Sequence, residues 1–232
     1  ATAWCRSMSM DHPGDDSRQQ ILERIRQRVG RTPQNAVAAG EAMVSTLAAR
    51  TPGPRPPVGD DLIQYFRQRS EALASSMDRV PGPADVPQAV ARYLRQQGLP
   101  PVAVCAPEVA GLDWFAAGLA VEGRAARESD LVGITGCFCA IAETGTLVLC
   151  SSPGAPATVS LLPETHIAIV DAARIVPGME EAWCKVREEL GELPRSVNFI
   201  SGPSRTGDIE QTIVLGAHGP YRVHVLVVGV PA

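Results

Sequence analysis

Apolar positions along this chain follow two spacings, one helical and one extended, and they alternate. The clearest helical stripe is Val86, Ala89, Val90, Tyr93 and Leu94, at i, i+3, i+4, i+7 and i+8. Asp85 ahead of it and Gln88 three residues on have capping-box spacing, and Gly98 supplies a stop. Upstream, Leu62, Phe66, Leu73, Met77 and Val80 predict another helix, closed by Pro81-Gly82-Pro83. A third is expected over 177–190, with Pro177 in its first turn and Met179, Ala182, Trp183, Val186 and Leu190 on its inner face. Short apolar runs at 102–105 and 119–122 flank a weak helix about Trp114. Clearer strands are expected at 166–171, 196–201 and 222–228. Apolar strands separated by amphipathic helices predict a layered α/β fold whose sheet is mixed, with parallel portions.

The first sixty residues read differently. Residues 1–16 are polar and aperiodic. Asp16 or Ser17 can cap a short helix carrying Ile21, Ile25 and Val29, and a second helix is expected over 35–49. It runs into Thr51-Pro52-Gly53-Pro54-Arg55-Pro56-Pro57, a stiff extended linker. We therefore expect an N-terminal helical arm over 1–59 and an α/β domain over 60–232. The arm has too little apolar surface for a core of its own, so an oligomer contact or a wrap around the main body would suit it.

Composition narrows the function classes. In 232 residues, 45% are hydrophobic and the formal net charge is −4. That balance gives no basic field for nucleic acid or anionic membrane. No run approaches the ~18 apolar residues of a membrane span, and residues 1–15 lack the pattern of a secretory signal. A cytoplasmic protein with reduced thiols is the expectation for its six cysteines. Cys137-x-Cys139 with Cys150 and His166 matches no common zinc or iron–sulfur spacing, so buried small hydrophobes are expected instead of a metal site. No nucleophile elbow, P-loop, dinucleotide fingerprint or zincin motif is present, and no cofactor is expected.

One hairpin can be indexed from the sequence. Residues 138–143 and 146–151 flank Thr144-Gly145, and a two-residue turn there pairs Glu143 with Thr146, Ile141 with Val148 and Cys139 with Cys150. Cys139, Ile141, Val148 and Cys150 then share one face, and Phe138, Ala140, Ala142, Leu147 and Leu149 the other.

Several polar loops can carry chemistry. Residues 197–200 empty into Ser201-Gly202-Pro203-Ser204-Arg205-Thr206-Gly207-Asp208. Gly202, Ser204, Arg205, Thr206 and Asp208 offer close backbone approach, hydroxyl donors and a planar cationic fork for a small anion. Asp208 and Gln211 can cap a following helix whose N-terminus would favour the same anion. A bland turn, with Arg205 paired to Asp208 or Glu210, is the competing reading. Glu143, Thr144 and Gly145 form the hairpin tip, and Ser151 and Ser152 follow the hairpin. Ser160 and His166 flank the mouth of a strand, and His218 sits before the last strand. His224, alternating with Arg222, is expected on an exposed strand face.

In order, Gly133-Ile134-Thr135-Gly136, Ala140-Ile141-Ala142-Glu143-Thr144-Gly145-Thr146-Leu147, Ser152-Pro153-Gly154, Leu162-Pro163 with His166, Ile200-Ser201-Gly202-Pro203-Ser204-Arg205-Thr206 with Asp208-Ile209-Glu210, and Gly216-x-His218-Gly219-Pro220 resemble the lactate-utilization protein C family (LUD domain). The resemblance implies a fold like that of the ribose-phosphate isomerase, glucosamine-phosphate deaminase and CoA-transferase group. It implies work beside iron–sulfur partner proteins that oxidise L-lactate to pyruvate, the clusters belonging to the partners. It supplies no catalytic residues. Where the family usually has Gly-Ala-Asp, this chain has Gly136-Cys137-Phe138, which leaves Glu143 as the nearest acid in sequence. Two roles stay open: an accessory subunit holding a small anionic ligand at 201–208, with Glu210 and His218 nearby, or an isomerase- or transferase-like enzyme with Glu143 as base or nucleophile.

Overall fold

The computed structural model describes residues 14–49, 51, 53–206, 214–216 and 218–229. The chain divides into two compact units between Pro54 and Arg55, inside the proline-rich stretch. The first contains two helices, α1 (Gly14–Arg28) and α2 (Ala36–Ala49). α1 starts two to three residues ahead of the expected cap at Asp16 or Ser17.

The second unit runs α3 (Leu62–Ala72), β1 (Ser76–Val80), α4 (Val86–Gln96), β2 (Val102–Cys105), β3 (Ala120–Gly123), β4 (Val132–Gly136), β5 (Cys139–Ile141), β6 (Thr146–Cys150), α5 (Thr158–Leu161), β7 (Thr165–Asp171), β8 (Ile175–Val176), α6 (Met179–Leu190), β9 (Val197–Ile200), β10 (Arg205–Thr206), β11 (Val214–Leu215) and β12 (Arg222–Val228). Six strands form one sheet in the order β1-β12-β7-β4-β2-β3, and every pairing in it is parallel. A second sheet, ordered β8-β5-β6-β9, is mixed.

Layering follows from side-chain alternation. On one face of the large sheet, Val132, Ile134, Ile167, Leu226 and Val228 pack beneath the α4 stripe of Val86, Ala89, Val90, Tyr93 and Leu94. On the other, Ala168, Val170, Val223, Val225 and Val227 meet Ala140, Ala142, Leu147 and Leu149 of the small sheet, with Phe66 of α3 wedged between. Cys139, Ile141, Val148 and Val176 on the far side of the small sheet are covered by Ala182 of α6. Four layers result: helix, parallel sheet, mixed sheet, helix. Strands covered on both faces read as continuous apolar runs, which is why β12 is Arg-Val-His-Val-Leu-Val-Val.

Several expectations are corrected. The helix expected through Val80 stops at Ala72, and Met77 and Val80 belong to β1. Three residues apart in a strand, they point to opposite faces, and each enters a different core. The junction is Ala74, held at φ +67°, with Ser75 N–H returning to the Ser70 carbonyl. Asp85 makes no side-chain cap to α4; its carboxylate accepts from Gly82 N–H at 3.1 Å, and Gln88 donates instead to the Ala116 carbonyl. Pro177 precedes the cap residue Gly178, and Met179 and Leu190 are exposed, so the buried face of α6 is Ala182 and Val186. Trp114 lies in a run of turns, not a helix, its indole N–H bonded to the Val109 carbonyl at 3.2 Å. His224 is buried because β12 is an interior strand; its ring stacks on Tyr93 with centroids 3.9 Å apart.

The hairpin register is also shifted. Cys139 pairs with Val148, Ala140 with Leu147 and Ile141 with Thr146, so Cys139 and Cys150 are not partners and the loop is four residues, 142–145. The N–H groups of Ala142 and Glu143 are taken by the carbonyls of Val176 and Pro177, which pulls both residues out of the expected ladder. Gly145, at φ +65°, makes the return. The shift is two residues, so the faces keep their parity, except that Phe138 packs with the Cys139 face. Arg174 stacks on the Phe138 ring, 4.7 Å from its centroid.

Two outcomes are expected. Ala74→Gly should raise stability by about 1 kcal/mol in denaturant titration, because glycine carries no side-chain penalty in the left-handed region. Acid should destabilise the fold through His166 and His224, both pushed down to about 4 by burial. An unfolded histidine takes up its proton near pH 6.5 while the buried one stays neutral, so stability is complete above that pH and falls towards pH 4. Each histidine accounts for roughly 3 kcal/mol over that window. Measured from pH 7 to 4, the unfolding free energy of His224→Asn should lose one proton's worth of slope.

Candidate functional site

β3 lies on one side of β2 and β4 on the other, so the winding of the large sheet reverses between β2 and β4. In parallel α/β sheets a crevice opens at such a switch, at the carboxyl ends of the strands. Here it is a cleft of about 380 Å³, within the range of small-molecule sites.

Glu108 stands at its rim, in the turn that follows β2. Its N–H is bonded to the Gly154 carbonyl at 3.0 Å, and its Oε1 accepts from Gly136 N–H, at the end of β4, at 3.1 Å. A Cβ on residue 136 would lie 2.5 Å from that oxygen, so this approach requires glycine. Packing around the carboxyl raises its pKa, and the Gly136 N–H opposes the rise. A carboxyl tuned upward at a strand end in a cleft is suited to exchanging a proton with a ligand.

The cleft wall supplies hydroxyls and apolar surface. Thr135 Oγ1 lies 2.8 Å from His166 Nε2; the imidazole is fully buried and neutral, and its Nδ1 has no partner among the described residues. Ser151 Oγ accepts from Ser196 N–H at 2.9 Å, Ser152 Oγ from Ala155 N–H at 3.0 Å, and Ser160 Oγ donates to the Ala157 carbonyl at 3.0 Å. Phe138, Leu149 and Leu190 are the apolar part, and Asn198 adds an amide. Among the described residues that line it, the acids Glu108 and Glu192 have no arginine, lysine or histidine beside them.

Of the candidates named from sequence, Ser151, Ser152 and Ser160 line this cleft and His166 lies behind it. The others are elsewhere. Cys150 pairs with Val197 and Leu147 with Ile200, so the cleft is at one end of the small sheet and the 142–145 loop and Ser201 are at the other. There, Thr146 Oγ1 bonds both Thr144 Oγ1 and Ser201 Oγ at 2.7 Å, and Ser70 Oγ donates to the Gly145 carbonyl at 3.2 Å. The Glu143 carbonyl accepts from Arg69 Nε at 2.9 Å. The half-buried Glu143 carboxylate faces Gly178, beside Arg55, which is itself paired with Glu180 and Glu181.

Gly202 packs its backbone against Leu73, whose carbonyl accepts from Arg205 Nη2 at 3.1 Å. Ser204 N–H donates to the Pro220 carbonyl at 2.8 Å, and Arg205 and Thr206 pair antiparallel with Leu215 and Val214. The side chain of Thr206, together with Asp208, Glu210 and the helix expected after them, lies outside the described residues. His218 is exposed in a shallow depression with Leu161, Glu164 and Tyr221. Glu164 and Tyr221 immediately precede β7 and β12, so this is the amino end of the parallel sheet, opposite the cleft.

Glu108, Thr135 and Asn198 were not singled out from sequence. One signal was available: Pro107-Glu108 directly follows the apolar run of β2, where α/β sheets place ligand-facing residues. The acid beside Gly136 in space is Glu108, although Glu143 is closer in sequence. The thiols near the cleft are disfavoured as thiolates. Burial pushes Cys139 up to about 11 and raises Cys137 and Cys150 as well, and no cluster of metal-ligating side chains occurs among the described residues.

Comparison with known proteins fits this geometry into a family. The LUD domain model matches residues 68–228. Lactate utilization protein C of Geobacillus sp. (strain WCH70) is 44% identical over 100 residues, 42% of each chain, and that of Bacillus subtilis (strain 168) is 43% identical over 100 residues, again 42% of each. The protein of the same name from Shouchella clausii is 46% identical over 99 residues, 42% of this chain and 43% of the relative. The aligned part thus spans about two fifths of the length of these curated relatives. The crystal structure of a DUF162 family protein from Deinococcus radiodurans superposes with a TM-score of 0.55 at 27% identity, covering 75% of this chain and all of that one. With its family model running from α3 to the end of β12, this chain belongs to the LUD domain family.

Proposed function

We propose that this chain serves lactate utilization as an accessory subunit, working beside iron–sulfur proteins that oxidise L-lactate to pyruvate, and that its cleft between β2 and β4 holds a small carboxylate ligand. The pathway rests on the names of relatives that align over two fifths of their length. The ligand site rests on one observation: the carboxyl of Glu108, at the exposed rim of the cleft, is held on Gly136 N–H at a topological switch point.

The chemistry of the wall dictates how an anion enters. With acids and no cation among the described lining residues, a carboxylate binds only when Glu108 takes up a proton and becomes a donor. Thr135, Ser151 and Ser152 then complete the polar contacts, and Phe138 and Leu149 exclude water.

A second ligand reading keeps the anion at the 201–208 loop. It is favoured by the Arg205 guanidinium, held against the Leu73 carbonyl in the same loop as Ser201. The enzymatic alternative, an isomerase- or transferase-like reaction using Glu143, is favoured by the placement of that half-buried carboxylate beside Arg55.

Titration calorimetry with L-lactate and pyruvate separates these readings. In the wild type, affinity should fall tenfold per pH unit above the Glu108 pKa, because binding takes up one proton there. Glu108→Gln, a permanent mimic of the protonated acid, should bind with no pH slope. A pH-independent wild type, or a Glu108→Gln variant with an unchanged slope, would rule out the cleft. Loss of binding in Arg205→Ala with retention of the Glu108 behaviour in neither protein would move the ligand to the loop. For the pathway, cells without this chain should fail to grow on L-lactate, and the tagged chain should carry iron–sulfur proteins through purification. Should Glu143→Gln abolish growth while leaving that association intact, the enzymatic reading would gain.

A further inference from the structure

The cleft between β2 and β4 is larger than L-lactate or pyruvate requires. L-lactate fills roughly 100 Å³ at the packing density of a protein interior, whereas the cleft measures about 380 Å³. A ligand that ended at its carboxylate would leave most of that space to water. The floor reaches the buried Thr135 and Ser160, a depth suited to a small molecule and not to a flat protein contact.

Its two walls differ in chemistry. One is built on the strand ends of the large sheet: Glu108, bonded to Gly136 N–H and the Gly154 carbonyl, with Thr135 beside Gly136. Ser152 belongs to the same side, its Oγ accepting from Ala155 N–H across the turn that contains Gly154. The other wall comes from the small sheet and the end of α6, and it is apolar: Phe138, Leu149, Leu190 and Pro194. The Phe138 ring is fixed there, because the Arg174 guanidinium stacks on it with 4.7 Å to the centroid. Arg174 also donates to the Phe138 carbonyl and, at 2.7 Å, to Glu189, the neighbour of Leu190 in α6. Leu190 is still 40% exposed, so apolar surface in the cleft is left for a ligand to cover.

We propose that the cleft selects monocarboxylates bearing a bulky apolar tail, aromatic or branched, over L-lactate and pyruvate, with the tail against Phe138, Leu149 and Leu190. This rests on the reading that sets the ligand carboxylate at Glu108. Moving a phenyl ring from water to such a wall raises affinity about tenfold to a hundredfold. Charge limits what the tail can be. Glu192 lies between Leu190 and Pro194 in the lining, and no lysine, arginine or histidine lines the cleft among the described residues. A second carboxylate at the tail's tip would therefore meet an acid with no counter-ion, so dicarboxylates are rejected. A hydroxyl or N–H at that tip is accepted, as a donor to Glu192 or to the Asn198 amide oxygen.

Titration calorimetry of the full chain at acidic and neutral pH, with L-lactate, L-phenyllactate and L-malate as probes, tests this. L-phenyllactate should bind about tenfold tighter than L-lactate or better, with a more negative heat-capacity change, and L-malate should bind more weakly than L-lactate. Leu190→Ser should cut the preference for L-phenyllactate over L-lactate by about threefold or more. Because Leu190 is already part exposed, circular dichroism and melting of this variant should match the wild type. L-lactate binding with the Glu108 pH slope, yet as tightly as L-phenyllactate, would overturn the tail site and leave the carboxylate site standing. A preference indifferent to Leu190→Ser, or L-malate bound as tightly as L-phenyllactate, would also overturn it. Binding of none of the three would overturn both readings.

Discussion

The large parallel sheet is covered on both faces, and that requirement governs the rest of the molecule. β7 and β12 place alternate side chains into two separate cores, so neither strand can expose an edge or a face. One face is met by α4, whose stripe is the strongest helical signal in the sequence. The other is met by a second sheet. Stacking sheet on sheet obliges the small sheet to find cover for its own far side, which α6 gives through Ala182 and Val186. Every helix of the α/β unit is therefore a consequence of burying β7 and β12, and the strand ends are the places left for chemistry.

Of those ends, among the described residues, the reversal between β2 and β4 opens into a cleft with Glu108 at its rim. Glu108 arrives there because the chain turns immediately after β2, and Gly136 and Gly154 give it two backbone contacts. Neither glycine has an obvious role in an isolated motif. Together they hold one carboxylate against the end of β4, in a position that a residue with a side chain at 136 would block.

Legibility from sequence tracked how local each determinant was. α4, β7, β9 and β12 were read because their apolar positions repeat within a few residues. β1 was misread because Met77 and Val80 fit a helical spacing equally well, and only the partner strand decides that they point to opposite faces. The hairpin was placed two residues off because its turn is set by β8, more than thirty residues away. His224 was read as exposed because alternation with Arg222 suggests a solvent face, whereas Tyr93 from a distant helix covers it. The site was the least legible. Ser151, Ser152 and Ser160 were named for their turns, but Glu108 carries no motif and becomes significant only when β4 is placed beside β2.

His166 shows how the core and the cleft are joined. The imidazole is fully buried, and its only described partner is the Thr135 hydroxyl, with Nδ1 unsatisfied. Two tautomers are available. If Nδ1 carried the proton, a buried N–H donor would have no acceptor, and Thr135 would spend its hydroxyl proton on Nε2. With the proton on Nε2, the histidine donates to Thr135 Oγ1, the orphaned atom is a lone pair, and the threonine proton is released towards the cleft. An unsatisfied buried acceptor is tolerated more readily than an unsatisfied N–H, so the second tautomer is favoured. Burial keeps the ring neutral, and a neutral ring with Nε2 protonated leaves the Thr135 hydroxyl proton free to point into the cleft. The packing that stabilises β4 against β7 thereby also sets the direction of a hydrogen bond at the site.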